Sequence, residues 1–371
     1  MWYRRVILLI PFIIFWASCS DDGPDVVKNP TPYNLSTPSY FGDFEIPVDN
    51  PLTVEGVALG RRLFYEKQLS QFDSISCGSC HMQKNAFTDA IPLALGVPKI
   101  PIPRNTMSLA NQLWNQKFFW DGRVNSLEEL IIFPLEDHRE MNQSIEASIV
   151  KLQRDSNYPK LFKAAFGDEN ITSDRIFKSI SQFQRTLVSG DSKYDQYIRG
   201  EYMPTSSELR GIDLFFTHPV AETGLRGGNC GDCHSSFLTS GFNNGFDGFH
   251  NNGLDSDDEL KDGLFSVTGL PQDKGKFKAP TLRNIALTAP YMHDGRFNTL
   301  EEVLNHYNEN IKESATLDIL IREASNEVVV PGEPILLQLT DQEKQDILAF
   351  LQMLTDQNFI NNEEFSDPFQ E

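Results

Sequence analysis

Cysteine is scarce in this chain, with five residues among 371, and four of the five lie in two short motifs. A lone C-x-x-C pair could be a redox dithiol or half of a zinc site, but too few cysteines remain to complete a four-cysteine site. Each pair is also followed directly by histidine. In C-x-x-C-H the two thiols form thioethers with the vinyl groups of a haem, and the imidazole binds one face of its iron. The sequence therefore predicts two covalently bound haem c groups, at Cys77-Gly78-Ser79-Cys80-His81 and Cys230-Gly231-Asp232-Cys233-His234.

The chain also lacks an apolar run long enough for a comfortable membrane span. The apolar run from Val6 to Trp16 follows two arginines and precedes Ala17-Ser18-Cys19. This pattern predicts a signal peptide at residues 1–18 and a lipoprotein acylated on Cys19, with ordinary cleavage after Ser18 as the alternative. The Pro-rich residues 19–47 read as a disordered, lipid-anchored tether. We expect a protein on the periplasmic or cell-surface side that touches the membrane only through this anchor.

Basic residues are also few relative to acidic ones. Lysine and arginine total 32 against 52 aspartate and glutamate residues, which gives a net charge of -20. Such acidity excludes nucleic acid as a natural partner and favours a basic one, such as a small basic cytochrome. The alternative is an acidic surface that is simply solvated.

Strand patterning is sparse, and the recognisable patterns are helical. An apolar stripe at helical spacing runs from Ile176 to Leu187 behind Thr172, and Thr340 with Glu343 forms a capping box for a last helix. Gly- and Asn-rich stretches, such as residues 239–253, read as loops folded over a cofactor.

The chain repeats itself around the two motifs. Residues 60–64 ahead of the first motif resemble residues 211–215 ahead of the second, and an Arg-Asn pair follows each motif. An Asp-Gly-Arg turn and a helix start come next in both halves, with Trp120 in the first replaced by His293 in the second. These correspondences predict one haem domain that has been duplicated.

The length beyond the tether exceeds one comfortable core and favours two domains. We predict a mainly α fold of two c-type cytochrome-like haem domains related by internal duplication, with long loops over the haems. The predicted bounds are 48–204 for the N-terminal domain, 205–358 for the C-terminal domain and 359–371 for a tail.

With these residues in hand, the chain resembles the bacterial di-haem cytochrome c peroxidases and their MauG relatives. The resemblance covers nearly the whole mature chain, from Asn50 to the last helix. Its most specific pieces are residues 119–123 (Phe-Trp-Asp-Gly-Arg), the pair Glu140-Met141, residues 279–284 and residues 290–295.

The resemblance implies roles for four residues. His81 would be the proximal ligand of a peroxidatic haem, and His234 the proximal ligand of a haem that receives electrons. Trp120 would relay electrons between the haems, with core packing as the alternative. Glu140 would be the distal glutamate that shuttles protons during peroxide cleavage, the alternative being a surface ion pair with its neighbour.

Two departures from the peroxidase pattern matter. Many members carry a histidine that caps the oxidised peroxidatic iron, and that position falls at or near Val97; the chain has no histidine between His81 and His138. We therefore expect the first haem to react without reductive activation. Leu130 stands where the family commonly has glutamine near the peroxide pocket.

The second departure is at the other haem. Tyr307 falls where most peroxidases supply a methionine ligand and MauG supplies tyrosine, and a phenolate stabilises ferric iron. His306 and Met292 are the competing ligands.

The family also binds calcium between its haems, and Asn105, Thr288 and Pro290 match those ligand positions, since hard oxygen ligands suit Ca²⁺. Asn105 could equally be a satisfied turn residue. The remaining histidines His138, His218 and His250 read as loop or surface residues.

The expected function is reduction of hydrogen peroxide to water with electrons from a small redox protein such as cytochrome c. A MauG-like oxidase that modifies side chains of a partner protein is the alternative, supported by Val97 and Tyr307. A non-catalytic di-haem electron carrier is a third reading. Glu140 and the missing cap argue against it, because pure carriers keep both irons six-coordinate.

Overall fold

A computed structural model describes residues 29–237, 248–328 and 334–370; Cys19 and the predicted signal peptide lie outside these ranges. The described residues form a mainly helical fold. The helices are α1 (Val54–Tyr65), α2 (Cys77–Cys80), α3 (Leu127–Leu130), α4 (Ile132–Glu136), α5 (Ile145–Arg154), α6 (Tyr158–Phe166), α7 (Ser173–Thr186), α8 (Lys193–Ile198), α9 (Ser206–Phe216), α10 (Phe265–Thr268), α11 (Leu300–Glu309), α12 (Ile319–Arg322), α13 (Asp341–Met353) and α14 (Gln357–Asn361).

The first half is organised around α1 and α7. The Thr53 hydroxyl caps α1. The Thr172 hydroxyl caps α7, the helix that the sequence predicts behind this residue. The two helices meet at Gly60, where an added Cβ would lie 1.8 Å from the carbonyl oxygen of Ser179. The missing side chain therefore allows the backbones to touch, and the helices bury one apolar core between them.

The second half is organised in the same way around α9 and α13. Each helix begins with a reciprocal capping box, Thr205 with Glu208 and Thr340 with Glu343. At their contact an added Cβ on Gly211 would lie 1.9 Å from the carbonyl oxygen of Asp346. A second apolar core is built here, with Phe215 and Phe350 fully buried.

Both ends of the described chain pack more closely than the sequence suggests. In the predicted tether, Phe41 is buried, and its ring packs edge-on against Trp114. In the predicted tail, Phe359 and Phe365 belong to the core of the N-terminal half. Pro32 also forms a bridge with Thr53. The expectation of a free tether up to residue 47 is thus wrong at residues 32–41, which are attached to the N-terminal half.

A short antiparallel strand pair in the C-terminal half contacts the N-terminal half. Strands β1 (Phe249–His250) and β2 (Phe277–Lys278) pair with Phe249 opposite Lys278. The Lys278 amide also donates to the Trp120 carbonyl at 2.9 Å. Residues 239–247 of the predicted loop 239–253 lie outside the described ranges. At residues 249–250 the loop prediction is wrong, because this backbone pairs with a strand distant in the sequence.

The two Asp-Gly-Arg turns have the same form. Single bridges close them, Phe118 with Val124 and Tyr291 with Phe297. Within the described ranges, no helix is both long enough and apolar enough to span a bilayer.

Candidate functional site

The first C-x-x-C-H motif forms a single helical turn, α2, that ends at its histidine. The Ser76 amide donates to the Ser79 hydroxyl at 3.0 Å, and the His81 amide donates to the Cys77 carbonyl at 2.9 Å. Gly78 lies under the ring of Tyr65, where a Cβ would approach to 2.4 Å. The two thiols and the imidazole are thus presented together from one tight turn.

The His81 ring is oriented by the backbone. Its Nδ1 donates to the Phe87 carbonyl at 2.9 Å, and burial lowers its pKa. A proton fixed on Nδ1 of a neutral ring leaves the Nε2 lone pair to bind a metal, which is the usual arrangement of a histidine ligand.

The second motif orients its histidine through the same two kinds of hydrogen bond. The His234 amide donates to the Cys230 carbonyl at 2.9 Å, and His234 Nδ1 donates to the Pro280 carbonyl at 3.0 Å. Pro280 follows β2, so the strand pair positions this imidazole.

The four motif thiols are partly buried and unpaired with one another. Desolvation raises the pKa of Cys77, Cys80 and Cys230 to about 12. Such surroundings favour uncharged sulfur, as in a thioether. Among the residues that the structure describes, no group of three or more His, Cys, Asp or Glu side chains is placed to hold a metal ion.

A cavity opens beside the second motif, lined by Cys230, Cys233 and His234. Apolar side chains make up much of its wall, including Leu282, Val303, Leu304 and Leu351. A largely apolar macrocycle fits such a lining, with the two thiols available for its vinyl groups and one imidazole for its iron. The donor set and the cavity therefore fit a c-type haem.

Two candidate ligands face this cavity. The Tyr307 hydroxyl and the Met292 sulfur both accept hydrogen bonds from the Asn252 amide, at 3.1 Å and 3.4 Å. His306 is buried, but its Nε2 donates to the Asn252 carbonyl at 2.9 Å. The arrangement thus favours Tyr307 or Met292 over His306 as a ligand.

Glu140 lies beside the first motif. Its charge is close enough to Cys77 and Cys80 to raise their pKa values. Burial, with a smaller contribution from Asp137, raises the pKa of Glu140 itself to about 7. A carboxyl with that pKa can both accept and donate a proton near neutral pH.

The segment at Val97 packs on this glutamate. The Val97 amide donates to the Glu140 carbonyl at 2.8 Å. Gly96 leaves room for that approach, since a Cβ there would lie 1.9 Å from the Arg139 carbonyl oxygen. The position where a histidine cap would stand is therefore next to Glu140 and carries valine.

Trp120 lines the same cavity as the second motif. Its indole N–H donates to the backbone carbonyl of Asn105 at 2.8 Å. The backbone amide of Asn105 in turn donates to the His293 carbonyl at 2.9 Å. His293, the counterpart of Trp120 in the repeat, is buried and stacks on Phe277 with ring centroids 3.7 Å apart. Trp120 is thus held at the junction of the two halves.

The three predicted calcium residues also line this cavity. Asn105 uses its amide nitrogen to donate to the Ile91 and Pro92 carbonyls, both at 3.1 Å. This leaves the side-chain oxygen of Asn105 as the potential cation ligand, with Thr288 and Pro290 close by in the wall.

The remaining histidines differ among themselves. His138 is exposed, and His218 is partly exposed and contacts Asp232 at 2.7 Å. The expectation that His250 is a loop or surface residue is wrong: it is buried in β1, and its Nδ1 contacts Asp318 at 2.7 Å.

Sequence reasoning missed Asn252, two residues after His250, as a site residue, because an asparagine in an Asn-rich stretch carries no distinguishing signal.

Comparison with known proteins places this helical, two-motif chain among the di-haem cytochromes. Residues 54–203 match the family model of di-haem cytochrome c peroxidases. The methylamine utilization protein MauG of Methylorubrum extorquens is 33% identical over 310 residues, covering 83% of this chain and 80% of that protein. The cytochrome c551 peroxidase of Nitrosomonas europaea is 34% identical over 258 residues, covering 68% of this chain and 73% of that protein.

A solved structure shares the architecture as well. A MauG-like protein associated with microbial copper homeostasis superposes with a TM-score of 0.79 at 37% identity, covering 91% of this chain and 99% of that one. The chain therefore belongs to the di-haem cytochrome c peroxidase and MauG family. Membership implies two c-type haems and oxidoreductase activity, while relatives at this level of identity divide between peroxidases and MauG proteins.

Proposed function

We propose that this protein is a peroxidase that reduces hydrogen peroxide to water with two electrons from a small redox protein, such as a cytochrome c. Two protons and two electrons convert one peroxide to two water molecules. The observation that carries the proposal is Glu140, a carboxyl beside the first motif with its pKa raised to about 7 by burial.

The haems attach at the two motifs. Cys77 and Cys80 would hold the first, with His81 to bind its iron, and Cys230 and Cys233 would hold the second, with His234. The backbone-fixed Nδ1 atoms of both histidines support these roles. When bound, the haems supply the redox chemistry that cleaves the peroxide O–O bond.

Covalent attachment is directly measurable. Since thioethers survive denaturation, both haems should stay with the unfolded polypeptide. Intact mass spectrometry of protein matured by a c-type assembly system should find two haems on the wild type and one on a Cys77→Ser/Cys80→Ser variant. Ser79→Ala, between the two cysteines, should keep both. Fewer than two haems on the wild type would contradict the assignment.

Glu140 is the proton shuttle in this proposal. Its carboxylate takes a proton from the proximal oxygen of peroxide and returns it to the distal oxygen, which leaves as water. The largely buried surroundings that raise its pKa also make the returned proton available near neutral pH.

Trp120 relays electrons toward the site of peroxide reduction. Its N–H donates to a backbone carbonyl, that of Asn105, which cannot take a proton at neutral pH. Loss of an electron from the indole is therefore not coupled to proton transfer along this hydrogen bond. A relay that moves electrons without protons can be fast.

Val97 removes the need for reductive activation. Because valine cannot ligate iron, as-isolated ferric protein should show a high-spin haem and react with peroxide at once. Val97→His should create the cap, give two low-spin ferric haems and introduce a lag that pre-reduction abolishes, whereas Val97→Leu should behave as the wild type. Low-spin signals from both haems of the wild type, with a lag, would reveal an unrecognised ligand.

Tyr307 is proposed as the ligand opposite His234, and calcium as the ion near Asn105, Thr288 and Pro290. The position of the Tyr307 hydroxyl in the cavity of the second motif supports the first assignment. The side-chain oxygen of Asn105, whose amide nitrogen is held by the Ile91 and Pro92 carbonyls, supports the second.

The wider organisation is also part of the proposal. The N-terminal domain, residues 48–204, and the C-terminal domain, residues 205–358, descend from one duplicated haem domain. Matching helix contacts at Gly60 and Gly211 support this origin. The mature protein is anchored through an acylated Cys19 on the periplasmic or cell-surface side, and its acidity favours a basic electron donor.

A second candidate function is a MauG-like oxidase that draws the two electrons from side chains of a partner protein. Val97 and the placement of Tyr307 favour it, since a phenolate ligand makes higher oxidation states of the iron easier to reach.

Steady-state turnover separates the two candidates. Peroxide consumption is measured with a reduced cytochrome c and without any donor. The peroxidase proposal expects two cytochromes oxidised per peroxide and little consumption without donor. Absence of donor-dependent turnover, in protein that carries both haems, would overturn it and leave the oxidase reading.

A further inference from the structure

We infer that Asn252 is a positioning residue that selects Tyr307 over Met292 as the ligand opposite His234. The inference deepens the proposed function, because it rests on a haem held at the second motif. It concerns how the protein decides between two side chains that both face that haem's cavity.

The Asn252 amide nitrogen is the point where the two candidate ligands meet. It donates to the Tyr307 hydroxyl at 3.1 Å and to the Met292 sulfur at 3.4 Å. One NH₂ group carries two N–H donors, so it can contact both atoms at once. The two ligand atoms are therefore neighbours, and only one can bind a single iron position.

Asn252 is held firmly in place. Its backbone carbonyl accepts a hydrogen bond from His306 Nε2 at 2.9 Å, which connects Asn252 to α11, the helix that carries Tyr307. The preceding residue, Asn251, is buried, and its amide donates to Ser314 Oγ at 3.0 Å and to Thr316 Oγ1 at 2.9 Å. The backbone that carries the Asn252 side chain is thus fixed beside Tyr307 and Met292, so the amide starts within hydrogen-bond distance of both candidate ligands.

A fixed N–H donor discriminates between oxygen and sulfur. Tyr307 would bind the ferric iron of a bound haem as phenolate, after losing its proton to solvent, and the phenolate oxygen would keep a lone pair that accepts a charge-assisted hydrogen bond. A thioether sulfur is only a weak acceptor. The bond from Asn252 therefore stabilises the tyrosine-bound state more than the methionine-bound one.

The lining of the cavity makes this hydrogen bond important. The Tyr307 hydroxyl accepts it within a largely apolar wall that includes Val303 and Leu304. Without the amide, the neutral thioether of Met292 would suit the same apolar wall better than a charged oxygen.

Asn252→Leu tests the selection, because leucine has similar volume and no donor. Hydrogen bonds to charged groups contribute enough to change the ratio of tyrosine-bound to methionine-bound haem by about 10- to 100-fold. We expect the ferric phenolate charge-transfer band to fall, the near-infrared thioether-to-iron band to appear, and the potential of this haem to rise. Asn310→Leu, at the exposed end of α11, should leave the spectrum unchanged.

A double variant shows whether Asn252→Leu changes the choice of ligand or merely disrupts the fold. Asn252→Leu/Met292→Leu should regain the phenolate band, since tyrosine is then the remaining ligand. A wild-type spectrum in Asn252→Leu, a thioether band in the wild type, or no phenolate band in the double variant would each overturn the inference. Turnover and haem mass are measured on the same samples. If the spectra change as expected but no donor-dependent turnover is found, the inference about Asn252 stands and the proposed peroxidase function fails.

Discussion

Replacing Glu140 by glutamine is expected to lower the rate of peroxide reduction by about 10²- to 10⁴-fold, the typical contribution of general acid–base catalysis. Glutamine keeps the size of the side chain but can neither accept nor return a proton. Both haems should remain attached, because Glu140 does not belong to either motif. The measurement is stopped-flow reaction of ferric protein with peroxide. Glu146→Gln, on the exposed face of α5, is the matched control and should react like the wild type.

The pH profile gives a second readout of the same group. Burial raises the pKa of Glu140 to about 7, and only the ionised form can take the first proton. The rate constant for peroxide should therefore be highest above pH 7 and fall about tenfold per pH unit well below it. The glutamine variant should lose this dependence. Full turnover in that variant, or an unchanged profile, would remove Glu140 from the mechanism.

Replacing Arg283 by methionine is expected to destabilise the fold by about 3–5 kcal/mol, the typical cost of leaving a buried charge without its partner. Arg283 and Asp195 are 0% exposed, and their charged atoms lie 2.5 Å apart. The guanidinium also donates to Ser192 Oγ at 3.2 Å. Unfolding by urea, followed by circular dichroism, measures the loss.

Two further variants isolate the charge effect. Asp195→Leu combined with Arg283→Met should recover much of the stability, because no uncompensated charge remains. Lys312→Met removes an exposed partner of Glu259, 3.1 Å away, and should change the free energy of unfolding by no more than about 1 kcal/mol. A similar small change for Arg283→Met would show that the buried pair does not support the fold.

The features predicted correctly from the sequence are local ones. The capping pair Thr340 and Glu343 and the stripe behind Thr172 lie within a few residues of the helices they start, and both helices form as expected. The two C-x-x-C-H motifs likewise set the position of each histidine relative to its cysteines through a single turn of chain.

The features that were missed depend on distant partners. Phe359 and Phe365 are apolar in the sequence, but nothing nearby indicates that they complete the core of the N-terminal half. His250 is buried because β1 pairs with β2, twenty-seven residues along the chain. Asn252 gains its position at the cavity only when α11 brings Tyr307 and His306 to it.

The central claim is that peroxide is reduced at the first motif with electrons that enter through the second. It is tested most directly by following the two haems separately in one rapid-mixing experiment on as-isolated ferric protein. Without pre-reduction, the high-spin haem signal should change first on adding peroxide. Reduced cytochrome added afterwards should return both haems to the ferric state, with two cytochromes oxidised per peroxide. Two low-spin haems at the start, or a signal that changes only after pre-reduction, would contradict the account.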